Sequence, residues 1–348
     1  MLFGRLGIAS KGLRKTPGGA ISTDAETLER LSAAHPALAV ILKYRELFKL
    51  KSTYIDALPM HADQSGRIHT IFDQTGTVTG RVSSEHPNLQ NIPAQGDEYA
   101  KKIRSAFITE KGFTLVSFDY SQIELRIMAS LSEDETMIET FRNKKDIHVT
   151  TASQVWGVPE GQVDAQMRRM AKTLNFGIIY GMGADAFAKV SGKSREEARE
   201  FIRKYFANFP RVKKFHEDTL AFGRAHGYVE NRLGRRRWLP DLTSGHPRYR
   251  AAAERMAINF PLQSFDADIM KGAMIAIAKK FSSGGEWGND IRMVLQVHDQ
   301  LLFEIRDDIL QARAGEIKKL MEAAGELAVP TAVDVHSGTS WGTLNRME

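Results

Sequence analysis

The sequence predicts an α+β fold in which one sheet is built from two separated stretches of chain, with a helical domain inserted between them. Three observations carry this. Residues 113–118 form an apolar run with the length and composition of a buried strand, and the run ends on Asp119. Residues 291–297 and 301–305 are two more apolar runs flanking His298-Asp299-Gln300, which makes a hairpin with polar groups at its turn. Between these strands, from Asp146 to about His226, the apolar residues recur with helical spacing.

Each element follows from local chemistry. Residues 11–19 (KGLRKTPGG) are a basic loop punctuated by Gly and Pro. Thr23 and Glu26, three apart, suit a capping box that opens a helix, and helical periodicity continues through Leu50. Residues 66–96 are rich in Gly, Ser, Thr, Asn and Pro and predict short strands and ordered loop. The strand at 113–118 leads into a helix over 122–130. The helical region is broken near Gly181 and Gly183 and at Pro210. Residues 227–239 predict a hairpin with Arg235-Arg236-Arg237 at its tip. A helix over 248–280 contains Pro261, where a kink is expected. A last helix over 308–327 and a short strand near 329–335 close the chain.

At 348 residues the chain has room for two or three domains, and its 42% hydrophobic content supports packed cores. The formal charge is +6 and the pI about 9.3, which suits a polyanionic partner and equally suits a plain solvated surface of Lys and Arg. There is no cysteine, which excludes disulfides, thiolate zinc sites and thiol nucleophiles. No apolar run approaches the roughly 20 residues of a membrane span. The basic first 15 residues lack the apolar core of a signal peptide.

Two aspartates, each mounted on an apolar strand, suggest a divalent-metal site. Such sites hold two ions about 3.5–4 Å apart on bridging carboxylates, one sharpening an attacking oxygen and one neutralising a leaving group. The plain alternative is that each Asp is a strand-end turn former. In the stretch QMRRMAKTLNFGIIY, Arg168, Lys172, Phe176 and Tyr180 are four apart. Residues so spaced advance only about 40° around a helix and form one stripe. The stripe is cationic at one end and aromatic at the other, matching the phosphates and the sugar and base of a nucleoside triphosphate. An ordinary helix with a solvated basic end and a core aromatic end has the same spacing.

Motifs decide between these readings. DYSQIELR at 119–126, the Arg168–Lys172–Phe176–Tyr180–Gly181 helix and Val297-His298-Asp299 resemble motifs A, B and C of the DNA polymerase I family (family A). Lys51-Ser52-Thr53-Tyr54, Thr79-Gly80-Arg81, Asn88-Leu89-Gln90-Asn91-Ile92-Pro93, Lys145-Asp146-Ile147-His148 and Glu254-Arg255 with Asn259 and Gln263 extend the resemblance, in the family's order, over nearly the whole chain. It implies a right-hand fold with an antiparallel palm sheet at 61–145 and 246–348, helical fingers at 146–245 and a partial, truncated thumb at 1–60. It also implies a DNA-directed DNA polymerase that adds dNTPs to a primer 3′ end on two Mg²⁺ ions, with Mn²⁺ as a substitute. Asp119, Asp299 and the backbone carbonyl of Tyr120 would hold metal. Lys172, with Arg168, His148 and Gln122, would meet the triphosphate. Phe176 would pack on the sugar, Tyr180 beside the templating base, and Glu124 under the 2′ position, where it disfavours ribonucleotides. Arg81, Arg255, Asn259 and Gln263 would follow the duplex minor groove and backbone, where contacts test pair shape without reading sequence. Lys51, Ser52, Thr53, Asn88, Gln90 and His298 would complete the contacts to primer–template DNA, which should be salt-sensitive. The expected protein is a monomer in a bacterial, phage-host or virus-host cytoplasm or an organelle, without membrane attachment, proofreading domain or 5′ nuclease.

The sequence also departs from the family. Gln300 follows Asp299 where relatives carry Glu, so weaker metal affinity or altered metal preference is expected. Ser264-Phe265-Asp266 stands where relatives often have Gly-Thr-Ala, and Ala94-Gln95 where they often place an Arg. A single-subunit RNA polymerase is the competing enzyme reading, against which Gln122 and Glu124 argue. A DNA-binding remnant with a decayed site is the non-enzyme reading, against which the retained Asp119, Asp299, Arg168 and Lys172 argue.

Overall fold

The computed structural model describes residues 2–10, 12–93 and 98–347. In chain order its elements are α1 (Ala25–Arg30), α2 (Pro36–Leu50), β1 (Ile71–Asp73), β2 (Ser83–Glu85), α3 (Glu98–Ser105), β3 (Phe113–Tyr120), α4 (Ile123–Ser132) and α5 (Glu135–Arg142). Then come α6 (Ile147–Trp156), α7 (Ala165–Ile179), α8 (Ala184–Ser191), α9 (Arg195–Asn208), α10 (Pro210–His226), β4 (Tyr228–Glu230), β5 (Arg236–Trp238) and α11 (Pro247–Ser282). The chain closes with β6 (Ile291–Val297), β7 (Gln300–Arg306), α12 (Leu310–Ala323), β8 (Val333–Gly338) and β9 (Asn345–Arg346). The expected α+β class holds, with an antiparallel sheet and a long helical insertion. Two compact units divide the chain, residues 1–71 with 86–107, and residues 72–85 with 108–348.

The smaller unit is helical. The expected Thr23–Glu26 capping box does not form. Asp24 is the cap, its carboxylate accepting from Thr27 N at 2.8 Å, because the helix starts one residue later, at Ala25. The expected continuous helix to Leu50 is broken at Leu31–His35, and Pro36, with its fixed φ and no N–H, opens α2 instead. Lys51–Ile55 continues α2 as a wider π turn that buries Tyr54, whose hydroxyl donates to the Asn91 carbonyl.

The larger unit is built on a five-stranded antiparallel sheet in the order β6-β7-β3-β8-β9. Strand alternation sorts its side chains. Val116, Phe118 and Tyr120, with Leu301, Phe303, Ile305, Val333 and Val335, join an apolar core with Ile269, Met270 and Ile277 of α11 and Ile317 and Met321 of α12. Phe118 and Phe303 meet edge to face at 5.5 Å. The residues between them point the other way, so Asp119 on β3, with its Cα partners Gln300 on β7 and Asp334 on β8, shares the face turned away from that core.

Three expectations need correction here. The hairpin at 227–239 forms, but Arg236 and Arg237 lie in β5 and the tip is Arg232–Gly234, since Asn231 N bonds to Arg235 O and closes the turn at the first residue of the basic run. The last helix stops at Ala323, short of 327, and the closing strand is Val333–Gly338 instead of 329–335. Pairing with β3, not local apolar content, decides that boundary.

Candidate active site

Two backbone features present the sheet's aspartates. Strand β6 turns into β7 in only two residues, His298 and Asp299, with His298 at φ 50°. The turn is held from within by Gln296 Nε2, which donates to the His298 carbonyl at 2.6 Å. Gln122, at φ 54°, caps α4 in the left-handed conformation and turns the chain sharply from strand to helix. Non-glycine residues held there store strain, and both flank the aspartates. Tyr120 N donates to Asp299 O at 3.0 Å, so the ends of β3 and the hairpin are stitched together. Asp119 is exposed and Asp299 half-buried. The Tyr120 ring points into the core, its hydroxyl donating to Met321 O, which leaves its backbone as the part near the cleft.

Gln122, Glu124, His148, Arg168, Lys172, Phe176 and Asp299 line one cleft of about 250 Å³. They come from α4, α6, α7 and the hairpin turn, so the expected triphosphate-binding residues are gathered at Asp299. Asp146 caps α6 through His148 N at 2.8 Å and also accepts from Arg168 Nε at 2.7 Å, which ties α6 to α7. Burial would raise the Asp146 carboxyl, but the Arg168 bond and the cap outweigh it and hold it below its ordinary value. His148 is buried against Phe176, with Asn175 Nδ2 3.0 Å from its Nδ1. Burial pushes its pKa down to about 4, so at neutral pH it is uncharged, with Nδ1 as acceptor and the proton on Nε2.

Beside the cleft a single cation holds several carboxylates. Arg81 Nη2 donates to Glu124 Oε1 at 3.0 Å and to Asp266 Oδ2 at 2.9 Å, and lies 3.8 Å from Asp299 Oδ1. Tyr180 donates its hydroxyl to the other oxygen of Glu124 at 2.6 Å. Burial raises the Glu124 pKa despite those two donors. Burial first, and then Asp299, raise Asp266 well above its ordinary value. The expected minor-groove residue Arg81 is therefore packed among the acids. Of the other expected DNA contacts, Arg255 is exposed on α11 beside Gly181, and Asn259 keeps a buried Oδ1 that accepts no hydrogen bond. Gln263 is half-buried and His298 exposed. Lys51, Ser52, Thr53, Asn88 and Gln90 belong to the smaller unit, where the first three are exposed and Lys51 pairs with Asp56 at 2.6 Å. Ala94 and Gln95 lie outside the described residues.

Among the described residues no group of three or more His, Asp or Glu is close enough to hold a metal unaided. Asp119 and Asp299 nonetheless fit a Mg²⁺-type ion. Asp299 Oδ1 is a buried carboxylate oxygen with no hydrogen-bond partner, and Mg²⁺ typically takes one or two carboxylates and completes its shell with water and substrate phosphate. The spacing reading missed Asp266, which only the departure from the family's Gly-Thr-Ala marked. A further signal was available, since Leu262, Asp266 and Met270 are four apart, which sets an acid in line with two apolar residues on one face of a helix.

The family model for DNA polymerase family A matches residues 1–343. The chain is 48% identical over 342 residues to the thermostable DNA polymerase I of Thermus aquaticus, covering 98% of this chain and 40% of that protein. It is 46% identical to the DNA polymerase I of Chloroflexus aurantiacus, covering 99% of this chain and 36% of that protein. The solved POL domain of Pol1 from M. smegmatis, in complex with DNA primer-template and dNTP, superposes with a TM-score of 0.88 at 40% identity, covering 95% of this chain and 58% of that one. The chain thus spans well under half the length of these two full-length relatives.

Proposed function

The chain belongs to DNA polymerase family A, and on that premise we propose that it extends a DNA primer on a template by transferring nucleotidyl groups from dNTPs. The observation that carries the reading is the cleft in which Gln122, Glu124, His148, Arg168, Lys172 and Phe176 converge on Asp299.

Asp119, Asp299 and the Tyr120 carbonyl would hold two Mg²⁺ ions, or Mn²⁺ in their place, which when bound activate the primer 3′-oxygen and neutralise the leaving pyrophosphate. The remaining work falls to side chains. Lys172 and Arg168 take the triphosphate charge, and Asp146 holds Arg168 at a fixed angle for it. His148 offers Nε2–H as a neutral donor, since Nδ1 is engaged by Asn175. Phe176 supports the sugar. Glu124 stands under its 2′ position, where a hydroxyl would meet an oxygen already bonded to Tyr180 or Arg81. The carboxylate, held in place by those two donors, crowds the space a 2′-hydroxyl would need, which disfavours a ribonucleotide. Tyr180 lies beside the templating base, and Arg255, Asn259 and Gln263 follow the minor groove. Lys51, Ser52, Thr53, Asn88, Gln90 and His298 hold the primer–template strands.

Primer extension with Mg²⁺ and with Mn²⁺ tests this. The parent chain should extend with dNTPs far better than with rNTPs, and Asp119→Asn should lower the rate by about 10³-fold or more, as loss of a principal charge-stabilising group does. No extension by the parent chain under either metal refutes the reading. Equal use of rNTPs refutes the place given to Glu124.

A further inference from the structure

One carboxylate in the cluster around Arg81 is left unused by the proposed chemistry. Asp266 sits in the middle of α11, 2% exposed, between the buried Phe265 and Ala267. Its Oδ2 accepts from Arg81 Nη2 at 2.9 Å. Its Oδ1 and Arg81 Nε are both buried without a hydrogen-bond partner. The same Nη2 faces Asp299 Oδ1 across 3.8 Å, beyond hydrogen-bonding range, and that oxygen is itself unpartnered.

This geometry is a competition for one cation. A guanidinium drawn onto Asp299 would occupy the oxygen that a divalent ion needs, and like charges a few ångströms apart in a half-buried cleft repel strongly. We propose that Asp266 is a positioning residue that anchors Arg81 to α11 and so keeps Asp299 open to the divalent metal. Without the anchor, Arg81 retains Glu124 and turns its second valence to the nearest open acceptor, Asp299. The metal must then displace it. The inference rests on the reading of Asp299 as a metal ligand. It turns on an acid buried in the middle of a helix between the apolar side chains of Phe265 and Ala267.

The experiment measures Mn²⁺ binding to the full chain, without DNA or nucleotide, from the electron paramagnetic resonance of the free ion. Asp266→Ala should bind Mn²⁺ about fivefold more weakly than the parent, in the range of couplings within one ionic network. Asp266→Asn keeps an oxygen facing Arg81 and should bind within about twofold of the parent, since it retains the acceptor that anchors the guanidinium. Thermal unfolding checks that each variant is folded. Asp266→Ser, too short to reach Arg81, replaces the alanine variant if that chain does not fold. Parent-like binding by the short-side-chain variant overturns the proposal, and so does an asparagine variant as weak as it. Asp299→Asn is the control, and if it binds Mn²⁺ as the parent does, Asp299 is not a ligand and the proposal falls. A parent chain that binds Mn²⁺ through Asp299 yet extends no primer refutes the polymerase reading alone and leaves the binding comparison decisive for Asp266.

Discussion

Glu124 and Gln300 show how differently two polar residues near the same aspartates are held. Glu124 is buried with each oxygen engaged, one by Arg81 and one by Tyr180. Removing either donor strands a buried acid, which costs several times what the bond itself contributes. Gln300 is directly opposite Asp119 in the sheet, and its amide nitrogen donates to Ser117 Oγ at 2.6 Å. Ser117 is buried and its hydroxyl can reverse its role, donating to a carboxylate where it now accepts from an amide. Gln300→Glu should therefore fold without penalty and add a negative charge beside Asp119. The expected result is a lower metal concentration for half-maximal primer extension, about threefold for a partly exposed charge a few ångströms away. A titration of Mg²⁺ against extension rate checks it. An unchanged midpoint would mean that position 300 does not feel the metal, and the departure at this residue would then be neutral.

At the level of elements, a glycine fixes where Arg81 points. Gly80 has φ +78°, and a Cβ there would come within 2.6 Å of Arg235 Cζ. That guanidinium cannot simply swing away, because Asp268 on α11 holds its Nη2 at 2.7 Å and its Nε at 3.3 Å. Gly80→Ala should destabilise the fold by about 2 kcal/mol, from left-handed strain and the displaced ion pair together. It should also weaken extension beyond what the lost stability explains, because Arg81 follows directly in the chain. Urea unfolding and extension kinetics measured at a temperature where both proteins are folded separate the two effects. Strands β3, β6 and β7 were legible in the sequence because each is an apolar run that ends at a polar turn. Helices α3 and α5 escaped the periodicity reading because they are short and half polar, with only two or three buried side chains each. The motif helix α7 was readable from four-residue spacing alone. The cluster joining Arg81, Glu124 and Asp266 was not, because its members are 43 and 185 residues apart in the chain. No local pattern encodes a contact made by tertiary packing.

For the whole molecule, two buried histidines contribute a loss of stability in acid. His148 and His216 are each pushed by burial from the ordinary value of 6.5 down to about 4. In the unfolded chain both take up a proton near pH 6.5, whereas the folded chain refuses it until about pH 4. The unfolded state thus binds more protons across that window, and stability falls as pH drops from 6.5 towards 4 and loses no more from these groups below it. Buried acids work in the opposite sense. Glu124, Asp134 and Asp266 have raised pKa values, so each gains a proton on folding as the pH falls, which offsets part of the loss. The net curve therefore mixes both signs, and only a difference between variants isolates one histidine. His216 is the cleaner case, since it lies outside the cleft, in α10 against Phe206 and Phe215, with Nε2 buried and unpartnered. His216→Phe keeps a ring in that aromatic surround and removes the proton. Its melting temperature relative to the parent should rise steadily as pH is lowered from 7 to about 4.5, the difference in unfolding free energy gaining at most about 1.4 kcal/mol per pH unit, the limit for one proton. A difference that stays flat across this range would mean that His216 charges within the fold without cost, through local opening of α10 or water reaching its ring.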